Sequence, residues 1–247
     1  MKKALILTDL TRMQEGRVCI AGYDESGQCI RPVLPPPGIQ ESSLYSQGRA
    51  IIYPFAVVEF ELLRPTPEPP HTEDHRYEPS TVRFIEKVEE KRKRHVLLNS
   101  TFPTVQAIFE VPIYSDVGHY VMAGQGSRSL GTLQPKRVIK AIYEQDPSGK
   151  WKYRLGFVDG GDCGYWLTVT DLAWRYYCDH NCRKGIELGD ISNKLTNWLR
   201  SNAVFLRIGL ARGWEKFPDR CFLQVTGVYT FPDYLEGKIF ADLTTRN

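Results

Sequence analysis

Lys136-Arg-Val-Ile-Lys-Ala-Ile-Tyr143, Asp146-Pro-Ser-Gly149 and Lys150-Trp-Lys-Tyr-Arg-Leu-Gly-Phe-Val158 follow one another along the chain, and they read as strand, turn and strand. The flanking segments hold β-branched and aromatic residues, and the four between them are the Asp, Pro, Ser and Gly that tight turns use. In the second strand the two-residue period puts Lys150, Lys152 and Arg154 on one face and Trp151, Tyr153 and Leu155 on the other. A sheet with a basic stripe is expected here.

The pattern repeats outward from this hairpin. Upstream, Arg17-Val-Cys-Ile-Ala-Gly-Tyr23 and Gln28-Cys-Ile-Arg-Pro-Val33 flank Asp24-Glu-Ser-Gly27. Ala4–Thr8 and Ala50–Tyr53 are short apolar runs, and Phe55–Leu63 alternates Glu59 and Glu61 with Val58, Phe60 and Leu62, so one face is buried and one is wet. The prolines of residues 64–70 stop regular pairing. Downstream, Gly164–Val169, Val204–Leu210 and Cys221–Thr230 read as strands. Three helices are predicted: residues 84–98, a second capped by Thr170 or Asp171 and running to Cys178, and a third capped by Asp190 or Ser192 that turns Leu195, Trp198 and Leu199 inward. The expected fold is mainly β with inserted helices (α+β), arranged as two small barrels. Their expected bounds are 1–123 for the first and 134–247 for the second, which carries two inserted helices, with the glycine-rich 124–133 as linker.

With 247 residues, 42% hydrophobic and 12% aromatic, the chain excludes disorder as its main state. No run reaches the length of a membrane helix, and Asp9 follows the start too closely for a secretory segment, so a cytoplasmic location is expected. The net charge of +3 divides unevenly: residues 1–123 hold 14 Lys+Arg against 16 Asp+Glu, and residues 124–247 hold 18 against 13, giving −2 and +5. A basic half fits a nucleic-acid partner, and a protein-binding surface could look the same. Lys91-Arg-Lys-Arg94 is the densest positive run; a solvated helix face balanced by Glu86, Glu89 and Glu90 is favoured over a phosphate-contacting patch.

Chemical motifs are sparse. The six cysteines show no CxxC spacing, and Cys178-Asp-His180-Asn-Cys182 offers three ligands where structural zinc takes four, so reduced thiols and no metal are expected. Gly124–Gly131 lacks a P-loop lysine and no cofactor motif is present. There is no G-x-S-x-G elbow. His71-Thr-Glu-Asp-His75 has two imidazoles and two carboxylates, but it follows four prolines and reads as a polar surface loop ahead of a metal or catalytic site. The remaining signal is aromatic and basic residues on predicted strands, a pairing with which barrels stack bases and follow phosphates. Tyr165, Trp166, Trp214, Arg207 and Arg212 are candidates, against the alternative that the rings are core anchors.

Three blocks then stand together: Arg17–Asp24 with Cys29–Val33; Ser127-Arg-Ser-Leu-Gly-Thr-Leu-Gln-Pro135; and Arg207-Ile-Gly-Leu-Ala-Arg-Gly-Trp214 followed by Phe222–Gly237. With these the chain resembles the bacterial dual OB domain family from residue 4 to about 240. The resemblance implies two tandem OB-like barrels forming a non-enzymatic, nucleic-acid-binding accessory module that works beside an effector of anti-phage defence. Arg31, Arg128, Arg207, Arg212 and Trp214 lie within the matching blocks, where binding ligand and locking the structure are both open to them. With Lys150, Lys152, Arg154 and Trp166 they make up the candidate binding set for single-stranded or structured nucleic acid. The alternative is a protein scaffold that never touches nucleic acid; a hydrolase or nuclease using His71, Glu73, Asp74 and His75 ranks last.

Overall fold

A computed structural model describes residues 1–244. β1 (Lys2–Arg12), β2 (Arg17–Tyr23) and β3 (Cys29–Val33) are followed by three two-residue strands, β4 (Ile39–Gln40), β5 (Tyr45–Ser46) and β6 (Arg49–Ala50), and by the long pair β7 (Ala56–Pro65) and β8 (Asp74–Lys87). β1 pairs with β7 through Lys2–Ile6 and with β2 through Ile6–Arg12, changing partner at an irregularity between Leu7 and Asp9. β2 pairs with β3, β3 runs parallel to β8, and β8 returns to β7. The circuit β1-β2-β3-β8-β7 therefore closes into a five-stranded barrel, the arrangement of an OB fold.

The second half repeats the circuit. After α1 (Glu90–Asn99), β9 (Thr101–Phe102), α2 (Val105–Phe109), β10 (Tyr114–Ser115) and β11 (His119–Met122) come β12 (Leu130–Leu133), β13 (Arg137–Gln145), β14 (Trp151–Val158) and β15 (Gly164–Val169). Then follow α3 (Leu172–Arg183), α4 (Leu188–Ser201), β16 (Ala203–Leu210) and β17 (Arg220–Phe231). β12 pairs with β16 and β13 with β14, so the two act as one first strand interrupted at Pro135, which has no N–H to offer a ladder. β14 pairs with β15, β15 runs parallel to β17, and β17 pairs with β16. The mainly β architecture with helices, two OB-like barrels in tandem, is the one expected.

Several boundaries move. The first barrel's last strand ends at Lys87, while β9 pairs with β12 and β11 with β17, so residues 101–122 belong to the second sheet and not to the first barrel. Residues 130–133 of the expected linker are a buried strand. A Cβ on Gly131 would lie 2.6 Å from Ile108, so its glycine serves close packing, not flexibility. The predicted helix 84–98 begins only at Glu90, because Glu86 and Phe84 pair with Val57 and Val58. The third helix starts at Leu188, ahead of Asp190 and Ser192. Ser192 instead works inside it: its hydroxyl and that of Thr196 accept the Tyr143 and Ala141 N–H groups, each at 3.0 Å, and so close the free edge of β13.

The barrels interlock. Between β3 and β7 the first has three two-residue strands and a 3-10 turn, Glu41–Leu44, where the second has α3 and α4. Its core is completed from outside: Leu172 and Ala173 at the start of α3, and Phe240 beyond β17, pack with Leu5, Ile20, Leu44 and Phe60. Trp174, one residue further along α3, lies in the other core. Asp171 caps this helix by accepting from the Ala173 and Trp174 N–H groups, and its second oxygen accepts from Val228. Burial pushes its carboxyl up to about 7. No helix among the described residues is long and apolar enough to cross a membrane.

Candidate nucleic-acid interface

The period of two fixes what the outer face of the second barrel displays. On β14, Tyr153, Leu155 and Phe157 are buried in the core, and Lys152 and Arg154 point the other way. On β15, Tyr165, Leu167 and Val169 are buried, and Trp166 and Thr168 are exposed. Gly156 pairs with Trp166, and a Cβ there would stand 2.8 Å from the indole. The ring therefore lies directly over a bare stretch of backbone, 38% exposed. Arg154, paired with Thr168, donates to the Trp166 carbonyl at 3.1 Å and so stands beside the ring. The outcome is an open indole next to an open guanidinium, on a rigid sheet.

Loops bound this face at its two ends. Because β17 runs parallel to β15 and β14 antiparallel to it, the loop 211–219 lies at the Gly164 end and the turn 146–150 at the other. In the turn, Asp146 accepts from the Ser148 and Lys150 N–H groups at 2.9 and 3.0 Å. Hydrogen bonds, first from the Ser148 hydroxyl and then from the Lys150 N–H, hold its carboxyl below the usual carboxylate range. Lys150 is exposed, and Lys152 lies 3.7 Å from Asp146 with 43% of its side chain open. Trp151 covers Tyr143 at 5.0 Å, nearly parallel to it. In the opposite loop Trp214 is 53% exposed.

An aromatic run that sequence reasoning missed continues from Trp214. It passes through Phe217, Phe222 and Tyr120 to Tyr114, with successive centroids 5.5, 5.6, 5.6 and 5.5 Å apart. Phe222 is on β17 two residues before Gln224, the partner of Thr168, and so on the same face as Trp166. The Arg220 guanidinium lies 4.5 Å over Tyr120 and 4.8 Å over Phe217. The missed signal was the two-residue period of Arg220-Cys-Phe-Leu-Gln-Val225, which puts Phe222 on the face of Arg220 and Gln224 and opposite Cys221, Leu223 and Val225, the three that are buried.

Other candidates lie elsewhere. Arg207 is fully buried between the barrels, with Asp9 at 2.9 Å, Thr132 at 2.9 Å and the Tyr23 hydroxyl at 2.5 Å, so it cannot meet a ligand. Arg31 is also buried, 2.5 Å from Asp74. Arg212 bonds the other oxygen of Asp74, and also Glu68 at 2.9 Å, with 45% of its side chain open. Arg128 stacks over Phe102 at 4.9 Å, with Glu110 3.7 Å away. Arg207 is thus a lock between the barrels, Arg31 joins β3 to β8 within the first, Arg128 is tied into the β9 region, and Lys150, Lys152, Arg154, Trp166 and Trp214 share one surface.

The His71–His75 segment is not the surface loop expected from its polarity. His71, Glu73 and Asp74 are buried in the seam, where Glu73 accepts from the Ser129 N–H at 2.6 Å and its hydroxyl at 2.9 Å. Burial, reinforced by Arg31 and Arg212, pushes His71 down to about 2. Among the described residues no three of the His, Cys, Asp and Glu side chains are grouped to hold a metal ion.

The fold agrees with the comparison against family models. The model of the dual OB-containing domain matches residues 2–228, covering both barrels to within three residues of the end of β17. No curated protein matches the chain. With two closed five-strand circuits inside that match, the chain belongs to the dual OB-containing domain family.

Proposed function

We propose that the protein is a non-enzymatic module that holds single-stranded nucleic acid on the outer face of its second barrel and works beside a partner effector in a bacterial defence system. The observation that carries the binding reading is the Trp166 indole lying open over Gly156 with Arg154 beside it. An exposed ring on a rigid strand stacks any base, and a cation at its side meets the phosphate that follows. Lys150 and Lys152 at one end and Trp214 at the other extend the track across the face, the route ligands take over strands two and three of an OB barrel. The non-enzymatic reading is supported by the seam, which engages Glu73 and Asp74 in hydrogen bonds and keeps His71 neutral. The effector and the defence setting rest on the family resemblance.

The test is photocrosslinking of a 5-iodouridine-substituted oligonucleotide followed by peptide mapping. Crosslinks at Trp166 and Trp214 are expected. Crosslinks confined to the first barrel would move the site, and no crosslink at all, with a protein partner co-purifying, would favour the scaffold alternative.

A further inference from the structure

The two barrels meet without closing over one another completely. Where the end of β8 and the start of α1 face the segment 232–240, they leave a cleft of about 400 Å³. Ligand cavities have volumes of about 300–1,000 Å³ and favour the junction between domains. The cleft is lined mainly by apolar surface, to which Phe55, Ala173, Trp198, Val228, Tyr229 and Phe231 contribute. Its walls are tied down. Trp198 donates to the Thr230 hydroxyl at 3.1 Å, that oxygen accepts from the Tyr234 N–H at 2.9 Å, and Lys87 reaches the Gly237 carbonyl at 3.0 Å.

Phe55 is the strained element of the cleft. Its φ is 64°, in the left-handed region that a bulky L-residue takes only when its surroundings impose it. Here they do: its N–H donates to the Leu7 carbonyl at 2.7 Å, and its carbonyl accepts from the Val88 N–H at 2.9 Å. Held this way, the ring meets Tyr229 edge to face at 4.6 Å and lies 5.2 Å beneath the Lys93 ammonium. An unfavourable backbone conformation is kept at the residue that sets an aromatic wall between the barrels.

Lys93 is the charge without a counterpart. It is half-buried, burial pushes it below the usual lysine range, and among the described residues no carboxylate lies within 4 Å of its ammonium. The carboxylates along the cleft are engaged or out of reach. Asp233 accepts from the Leu235 and Gly237 N–H groups, each at 3.0 Å, and Glu236 lies 3.9 Å from Lys238. Glu90, three residues before Lys93, is exposed and forms no ion pair at that distance with either Lys87 or Lys93. A half-buried cation left unpaired beside an apolar cavity complements an anion joined to an apolar body. We propose that this cleft is a binding site for a small aromatic anion, a planar ring bearing one phosphate or carboxylate. Its ring packs among Phe55, Tyr229 and Phe231, and its charge meets Lys93. The proposal is independent of the nucleic-acid reading of the open face.

Calorimetric titrations of the full chain with 1-naphthyl phosphate, 1-naphthoate and uncharged 1-naphthol test this. At least one of the two anions is expected to bind with a stoichiometry of one, about tenfold or more tightly than 1-naphthol, and the tighter of the two identifies the acid group the site takes. Lys93→Met is expected to erase that preference and to leave affinity for 1-naphthol within about twofold. Melting curves superimposable on wild type confirm that the variant folds. An excess of single-stranded oligonucleotide is expected to leave the bound anion in place. Equal affinity for all three probes, binding of none, a preference that Lys93→Met retains, or displacement of the anion by the oligonucleotide overturns the site. None of these results bears on whether the open face binds nucleic acid, which the crosslinking experiment decides by itself.

Discussion

Arg207 and Arg154 carry the same charge on the same sheet and differ in what covers them. Arg207 has Asp9 as its fully desolvated partner, so Arg207→Leu is expected to destabilise by about 3–5 kcal/mol in urea titrations, and Asp9→Leu combined with Arg207→Met to cost less than either single change. Trp166→Ala and Trp214→Ala are expected to leave the melting temperature unchanged and to weaken oligonucleotide binding by about 1–3 kcal/mol each. His71 gives the seam a pH dependence. Its ordinary value is about 6.5 and its folded value about 2, so its contribution is present above pH 6.5 and is lost as the medium acidifies through that window. Asp171, raised to about 7, acts oppositely, contributing at low pH and losing it as pH rises through 7. Urea midpoints measured down the pH scale should therefore fall less in His71→Leu than in wild type. At this scale the outward period of Lys150, Lys152 and Arg154 was legible. The fate of Arg207 was written in its setting: from Val204 to Leu210 every residue is buried, because the second face of β16 is covered by the first barrel, and a continuous apolar run is the mark of such a strand.

Hairpins are the elements read best, because their turns carry their own chemistry. Asp24 and Asp146 each accept from the N–H groups two and four residues on, which is why Asp-Glu-Ser-Gly and Asp-Pro-Ser-Gly both announce a reversal. Elements set by tertiary contact were misread. Residues 84–87 fit a helical spacing of apolar positions with 88 and 96–98, yet Phe84 and Ile85 suit a strand and the segment pairs with β7, which is there to receive it. Gly124–Gly131 has a linker's composition, but Gly124 donates to Pro69 at 2.9 Å and Leu130 enters a buried strand. Ser192 has a capping residue's identity but closes a sheet edge. Ser192→Ala leaves the Tyr143 N–H without an acceptor in a buried site, and a loss of about 1–3 kcal/mol is expected in chemical denaturation.

At the scale of the molecule, the charge division survives the moved boundary. Residues 89–123, reassigned to the second sheet, carry four residues of each sign, so the first barrel stays at −2 and the remainder at +5. What the sequence could not announce is that the barrels share cores, since Leu172 and Phe240 lie far in the chain from the strands they fill. Phe240 is fully buried, and Phe240→Ala is expected to cost about 3–5 kcal/mol while unfolding stays a single transition seen alike by fluorescence and far-UV dichroism. A rigid two-barrel body also means that the open face is preformed, so binding there should follow the simple electrostatics of its exposed cations. Anisotropy of a labelled single-stranded oligonucleotide, titrated with the protein over a series of salt concentrations, measures this directly. With phosphates met by Lys150, Lys152 and Arg154, log affinity should fall against log salt with a slope of about −2, and Lys152→Glu with Arg154→Glu should flatten it. Absence of binding at low salt, or a slope that the paired substitution leaves unchanged, would contradict the assignment of the second barrel's outer face as the binding surface.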